Sequence, residues 1–209
     1  MTKAKDLKST KSSGTGILTG GGETGDLSFL LIIVLGNKED TGTLLHIISA
    51  IPISLRNRFC FVASFPITRK TLHIFRNQDE PATSFSPYIV ETETVLKPGT
   101  IYFQASDKGM FLCGNEFQTY NISADTGGRC GSLIFADSLA PARQPVATIV
   151  LSEIKSLTDH LQAIKARGSV IIFDDQGNGD GHTQKFGQTS LSYADYVLPS
   201  EKIGERIVE

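Results

Sequence analysis

Short apolar runs, each bounded by glycine, proline or a polar turn, recur along the chain. The first is Leu31-Ile32-Ile33-Val34, closed by Gly36. A continuous apolar run of this length, rich in β-branched residues, predicts a strand buried on both faces. The polar turn Asn37-Lys38-Glu39-Asp40 follows. Leu44, Leu45, Ile47, Ile48 and Ile51 then recur at helical spacing up to Pro52, which limits that helix. Phe59-Cys60-Phe61-Val62 repeats the buried-strand pattern. Thr68 is placed to cap a short helix carrying Leu72 and Phe75.

The middle of the chain changes character. Residues 77–88 read as a loop rich in Pro, Ser and Asp. Residues 89–95 alternate imperfectly, as a strand. Pro98-Gly99 predicts a turn before the strand Thr100-Ile101-Tyr102-Phe103. Asp107-Lys108-Gly109 predicts a hairpin turn with Met110-Phe111-Leu112-Cys113 pairing back, and Phe117 to Ile122 a further strand. Leu133 to Leu139 reads as a helix stopped by Pro141. Residues 146–151 form a strand. Ser156 and Asp159 resemble a capping box opening a helix with Leu157, Leu161 and Ile164 on one face, ended by Gly168. Ser169 to Phe173 is another buried strand, and Ala194 to Pro199 a short closing one. Ser200 is placed to cap a last turn. The order predicts an α/β fold: a doubly wound, mostly parallel sheet in a Rossmann-like three-layer arrangement, with an inserted antiparallel hairpin region. Residues 1–28, rich in Lys, Ser, Thr and Gly, read as a flexible tail before one domain over 29–209.

Composition narrows the function classes. The 20 basic and 22 acidic residues leave a net charge of −2, with no broad basic surface for nucleic acid. No apolar stretch is long enough for a membrane span, and no signal-peptide pattern is present. Cys60, Cys113 and Cys130 are too widely spaced for a zinc site or disulfide framework. Cytoplasmic location, with no metal and no cofactor, is the expectation. The Gly-rich run in residues 14–22 lacks a preceding strand and a following Gly-Lys-Ser/Thr, so it is not read as a phosphate-binding loop. The loop from Asp174 to His182 is rich in oxygen ligands but lacks calcium-loop spacing, and reads as a turn-rich connection.

Several phrases, in order and spacing, resemble the C-terminal effector domain of the chemotaxis protein-glutamate methylesterases (CheB). Residues 96–105, LKPGTIYFQA, are similar to that family's LPGxVYIAP. Residues 194–199, ADYVLP, are similar to AVDEVLPL, and Ile33 to Gly36 is similar to VAIG. The resemblance covers roughly Phe29 to Glu209. It implies the α/β fold above and a family reaction, hydrolysis of glutamate methyl esters on chemoreceptors, carried by a Ser, a His and an Asp on three loops.

The resemblance aligns those positions with Lys38, Ser64 and Leu157. All three roles are unfilled. Lys38, beside Glu39 and Asp40, reads as an exposed ammonium in a charged turn. A nucleophilic Ser64 would need a base, and His46, His73 and His160 all fall in predicted helices. The expectation is therefore a methylesterase-like domain without the family activity, a binding or regulatory module. Its implied partner is a chemoreceptor cytoplasmic region or another signalling protein. The alternative is a protein-glutamate methylesterase with relocated or residual catalytic groups.

Overall fold

The structure, a computed structural model, describes residues 29–76, 85–113, 115–121, 146–154, 157–175 and 186–209. The strands in chain order are β1 (Leu30–Leu35), β2 (Phe59–Pro66), β3 (Ser86–Val90), β4 (Thr94–Val95), β5 (Thr100–Gln104), β6 (Lys108–Cys113), β7 (Glu116–Asn121), β8 (Val146–Val150), β9 (Val170–Asp174) and β10 (Tyr196–Leu198). The helices are α1 (Thr41–Ser49), α2 (Arg69–Arg76), α3 (Leu157–Lys165), α4 (Gln188–Leu191) and α5 (Ser200–Val208).

Seven strands form one sheet in the order β10-β9-β8-β1-β2-β5-β3, and every neighbouring pair is parallel. β1 takes the central place because nearly its whole length is apolar, and Leu31 to Leu35 are fully buried. Its side chains alternate between two cores. Leu31, Ile33 and Leu35 pack on one face with Leu157, Leu161 and Ile164 of α3. Ile32 and Val34 pack on the other with Leu44, Ile47 and Ile48 of α1, and with Leu72 and Phe75 of α2. A sheet covered on both faces in this way is the doubly wound fold that the apolar runs predict.

The inserted region differs from the expectation in its pairing. Residues 89–95 do not form one strand. β3, the edge strand, ends at Val90, where the chain becomes continuously exposed over Glu91, Thr92 and Glu93, and β4 joins a second sheet of order β4-β7-β6. Ser86 to Tyr88, expected in a loop, belong to β3. β5 does not pair with β6. Buried along its length, it lies between β2 and β3, while β6 pairs antiparallel with β7. The small sheet packs Met110, Leu112 and Phe117 into the same core as α3.

Gly99 (φ +70°) and Gly168 (φ +78°) occupy the left-handed region that their turns require. Thr68 caps α2 as expected, with the Thr71 N–H donating to its Oγ1 at 3.1 Å. Ser200 is the first residue of α5 rather than its cap; Pro199 precedes the helix and no side-chain cap bond forms. The short helix α4 has no forecast in the sequence. The expected tail 1–28, the 133–139 helix, Ser156 and residues 176–182 lie outside the described residues.

Candidate functional site

In a doubly wound sheet, ligands bind at the carboxyl ends of the strands where connections depart to opposite sides. β1 is that place here, flanked by β2 on one side and β8 on the other. The loops after β1, β2 and β8 therefore meet above it. Between the first two lies an open cleft of about 290 Å³, lined by Lys38, Glu39, Thr41, Pro66, Ile67, Thr68 and Thr71.

Between the loops after β1 and β8 the arrangement is closed. The chain turns through a 3-10 turn, Lys38–Asp40, before α1. Buried Asp40 accepts the backbone N–H of Asn37 at 2.7 Å. The same Oδ2 accepts the hydroxyl of Ser152, from the β8 loop, at 2.5 Å. Ser152 Oγ in turn accepts from Asn37 Nδ2 at 2.9 Å. A hydroxyl at this distance from a carboxylate is a charge-assisted hydrogen bond, about twice as strong as a neutral one. Gly36 is needed beneath it, since a Cβ there would stand 2.7 Å from Asp40 Oδ2. The Asn-x-x-Asp spacing is a sequence signal for the Asp40–Asn37 bond, because an acidic residue three past a helix start reaches back to the cap N–H. Ser152 has no such signal; only the fold brings it to residue 40.

The three residues aligned with the family's catalytic positions do not come together chemically. Lys38 is 76% exposed in its side chain and 3.8 Å from Glu39. Ser64 is buried in β2, and its Oγ has no hydrogen-bond partner among the described residues. Leu157 opens α3 and is 1% exposed in the core. The histidines stand elsewhere, as their helical positions predict. His46 on α1 lies 4.0 Å from Glu201, His73 is exposed on α2, and His160 is buried in α3.

Thiol chemistry finds no support at Cys60, because burial pushes its thiol well above the ordinary cysteine range. Tyr102 is likewise raised, first by burial and then by Cys60. Its hydroxyl is structural, accepting from Lys97 N–H at 2.9 Å and donating to the Val95 carbonyl at 3.1 Å. Among the described residues no group of three or more His, Cys, Asp and Glu side chains is placed to hold a metal ion. No helix there is long and apolar enough to cross a membrane.

The comparison with solved structures decides the architecture. The catalytic domain of CheB methylesterase from Thermotoga maritima superposes with a TM-score of 0.61, covering 87% of this chain and 97% of that one, at 19% identity. This chain has a CheB-like fold. No family model matches the sequence, and no curated protein does. The CheB-like likeness is therefore one of fold, carried by the parallel sheet around β1. The phrase at 96–105 supplies the turn into β5 and the whole of that strand. The phrase at 194–199 supplies β10 and Asp195, whose carboxylate accepts Lys165 Nζ at 2.5 Å and the Ile171 N–H at 2.9 Å.

Proposed function

We propose that this CheB-like domain is a binding or regulatory module of chemotaxis-type signalling that does not hydrolyse glutamate methyl esters. One observation carries the reading: the positions aligned with Ser, His and Asp hold an exposed lysine, a buried serine whose hydroxyl has no hydrogen-bond partner among the described residues, and a core leucine. Losing one triad member costs on the order of 10⁴-fold or more in rate, and here every position is changed. The Asn37–Asp40–Ser152 bonds fasten the loops after β1 and β8 to each other. Residues 29–209 form the module, 1–28 a tail, and the partner is a chemoreceptor cytoplasmic region or another signalling protein. The test is methanol release from methylated chemoreceptor by the purified protein. None is expected above the uncatalysed rate, and Lys38→Ala or Ser64→Ala should change nothing. Turnover that either substitution abolishes contradicts the proposal.

A second reading rests on the 2.5 Å contact between Ser152 and Asp40. It makes Ser152 a relocated nucleophile and Asp40 its base. Against it, Ser152 already donates to Asp40 and accepts from Asn37, and among the described residues no histidine is hydrogen-bonded to either group. A serine-directed fluorophosphonate separates the two: adduct at Ser152 favours the hydrolase, and an unmodified protein the module.

A further inference from the structure

The loop after β8 is tied, at two consecutive residues, to two different parts of the molecule. Ser152 donates to Asp40 Oδ2 in the loop after β1 at 2.5 Å and accepts from Asn37 Nδ2 at 2.9 Å. Glu153, the next residue, accepts the Gly187 N–H at 3.4 Å and the Ser190 hydroxyl at 3.3 Å. Those partners belong to α4 and to the residue before it. α4 has four residues and no side-chain cap bond, too short to keep its conformation without outside partners. Phe186, edge-on to Phe173, and Leu191 attach its segment to the core. Ser190, buried, is its polar anchor and also lies 3.4 Å from the Thr158 hydroxyl of α3. Leu151 is fully buried, but Ser152 is half-buried and Glu153 exposed. These two residues are therefore held by hydrogen bonds more than by burial, and such a segment opens at low cost.

We propose that Ser152 and Glu153 act as a strap that couples the loop above β1 to α4. With the strap closed, Ser152 occupies the Asp40 carboxylate and shuts the β8 side of the place where this fold holds ligands. A ligand group that enters there must offer Asp40 a donor in place of Ser152, a hydroxyl or an ammonium, because a carboxylate left without one is costly. A single peptide link separates the two strap residues. Displacing Ser152 therefore turns Glu153 away from Gly187 and Ser190, and occupancy above β1 is felt at α4. The coupling runs both ways, as linkage requires: loosening Glu153 from α4 also loosens the Asn37–Asp40 turn. The strap works in the same way whether or not an ester is hydrolysed above β1.

Amide hydrogen exchange of the full chain, followed residue by residue by NMR, reads both ends of the strap. At one end the reporter is the Asn37 N–H, which donates to Asp40. At the other end the reporters are the Leu191 and Ser192 N–H groups, which donate to the Gly187 and Gln188 carbonyls. Asp40→Ala is expected to speed exchange at Leu191 and Ser192 about threefold or more, and Glu153→Ala to speed it at Asn37 by a comparable factor. Ser152→Ala leaves Asn37 bonded to Asp40 but should still speed exchange at Leu191 and Ser192. Tyr102→Phe is the control for general loosening. It removes the hydroxyl that bridges Lys97 and Val95, and should speed exchange at Lys97 while leaving both ends of the strap unchanged. A response confined to the mutated end in Asp40→Ala and Glu153→Ala overturns the coupling. So does an equal response of both ends to Tyr102→Phe, the mark of global destabilisation. If circular dichroism shows that Asp40→Ala does not fold, Ser152→Ala and Glu153→Ala decide between the same outcomes.

Discussion

At the scale of single residues, the fastening of Asp40 to Ser152 is the most informative feature. Asp40 holds two donors, the Asn37 N–H and the Ser152 hydroxyl. Asp40→Ala should leave both without their acceptor and cost about 1–3 kcal/mol, with Ser152→Ala costing less. Urea denaturation of the two single variants and the double variant should give a coupling of about 0.5 kcal/mol or more; purely additive effects would show that the contact is not formed in solution. Gly36→Ala should weaken the same contact, because its Cβ would displace the Asp40 carboxylate. Half of this cluster was legible in the sequence. The Asn-x-x-Asp spacing announces a local bond, but a partner more than a hundred positions away depends on sheet order, which no local pattern carries.

Asp195 gives a second residue-level prediction. Burial raises its carboxyl, but the Lys165 hydrogen bond, the Ile171 N–H and the Lys165 charge outweigh that and hold it below the usual carboxylate value. A group depressed in the folded state contributes stability that is fully present above its unfolded value. That contribution is lost as pH falls through the folded one. The Asp195→Asn variant should therefore show a shallower loss of stability below about pH 4, seen as urea midpoints that converge with wild type on acidification. Parallel midpoint curves would contradict the assignment. The sequence marked Asp195 only as part of a family-like phrase; its role as the tie between β9 and α3 needed coordinates.

At the scale of elements, apolar periodicity located the strands and the principal helices well, because continuous runs and helical spacing report burial directly. It failed where pairing, not burial, was in question. Asp107-Lys108-Gly109 reads as a hairpin turn, yet Lys108 and Gly109 already belong to β6, and β5, buried on both faces, is held between two parallel neighbours. The inward face of β6, with Met110 and Leu112, is satisfied by pairing with β7 instead. The docking of the C-terminal helix was equally invisible. Gly204 on α5 allows close approach to α1: a Cβ there would lie 2.6 Å from Ala50 Cβ and 2.6 Å from the Ile47 carbonyl oxygen. Gly204→Ala should push the helices apart and cost about 1–3 kcal/mol, measured as a lowered thermal midpoint. An unchanged or raised midpoint would mean that α5 shifts at no cost.

At the scale of the whole molecule, a parallel sheet with β1 at its centre brings three loops together at a place where this fold can hold a ligand. The fold was legible from the order of apolar runs. What occupies the place is a matter of side chains: an open cleft on the β2 side and a fastened pair of loops on the β8 side. The central proposal is that, among the described residues, neither side contains a nucleophile competent for ester hydrolysis. The most direct measurement is intact mass after treatment with excess fluorophosphonate, followed by peptide mapping. The account predicts a protein of unchanged mass; a single stoichiometric adduct on Ser64 or Ser152 would contradict it.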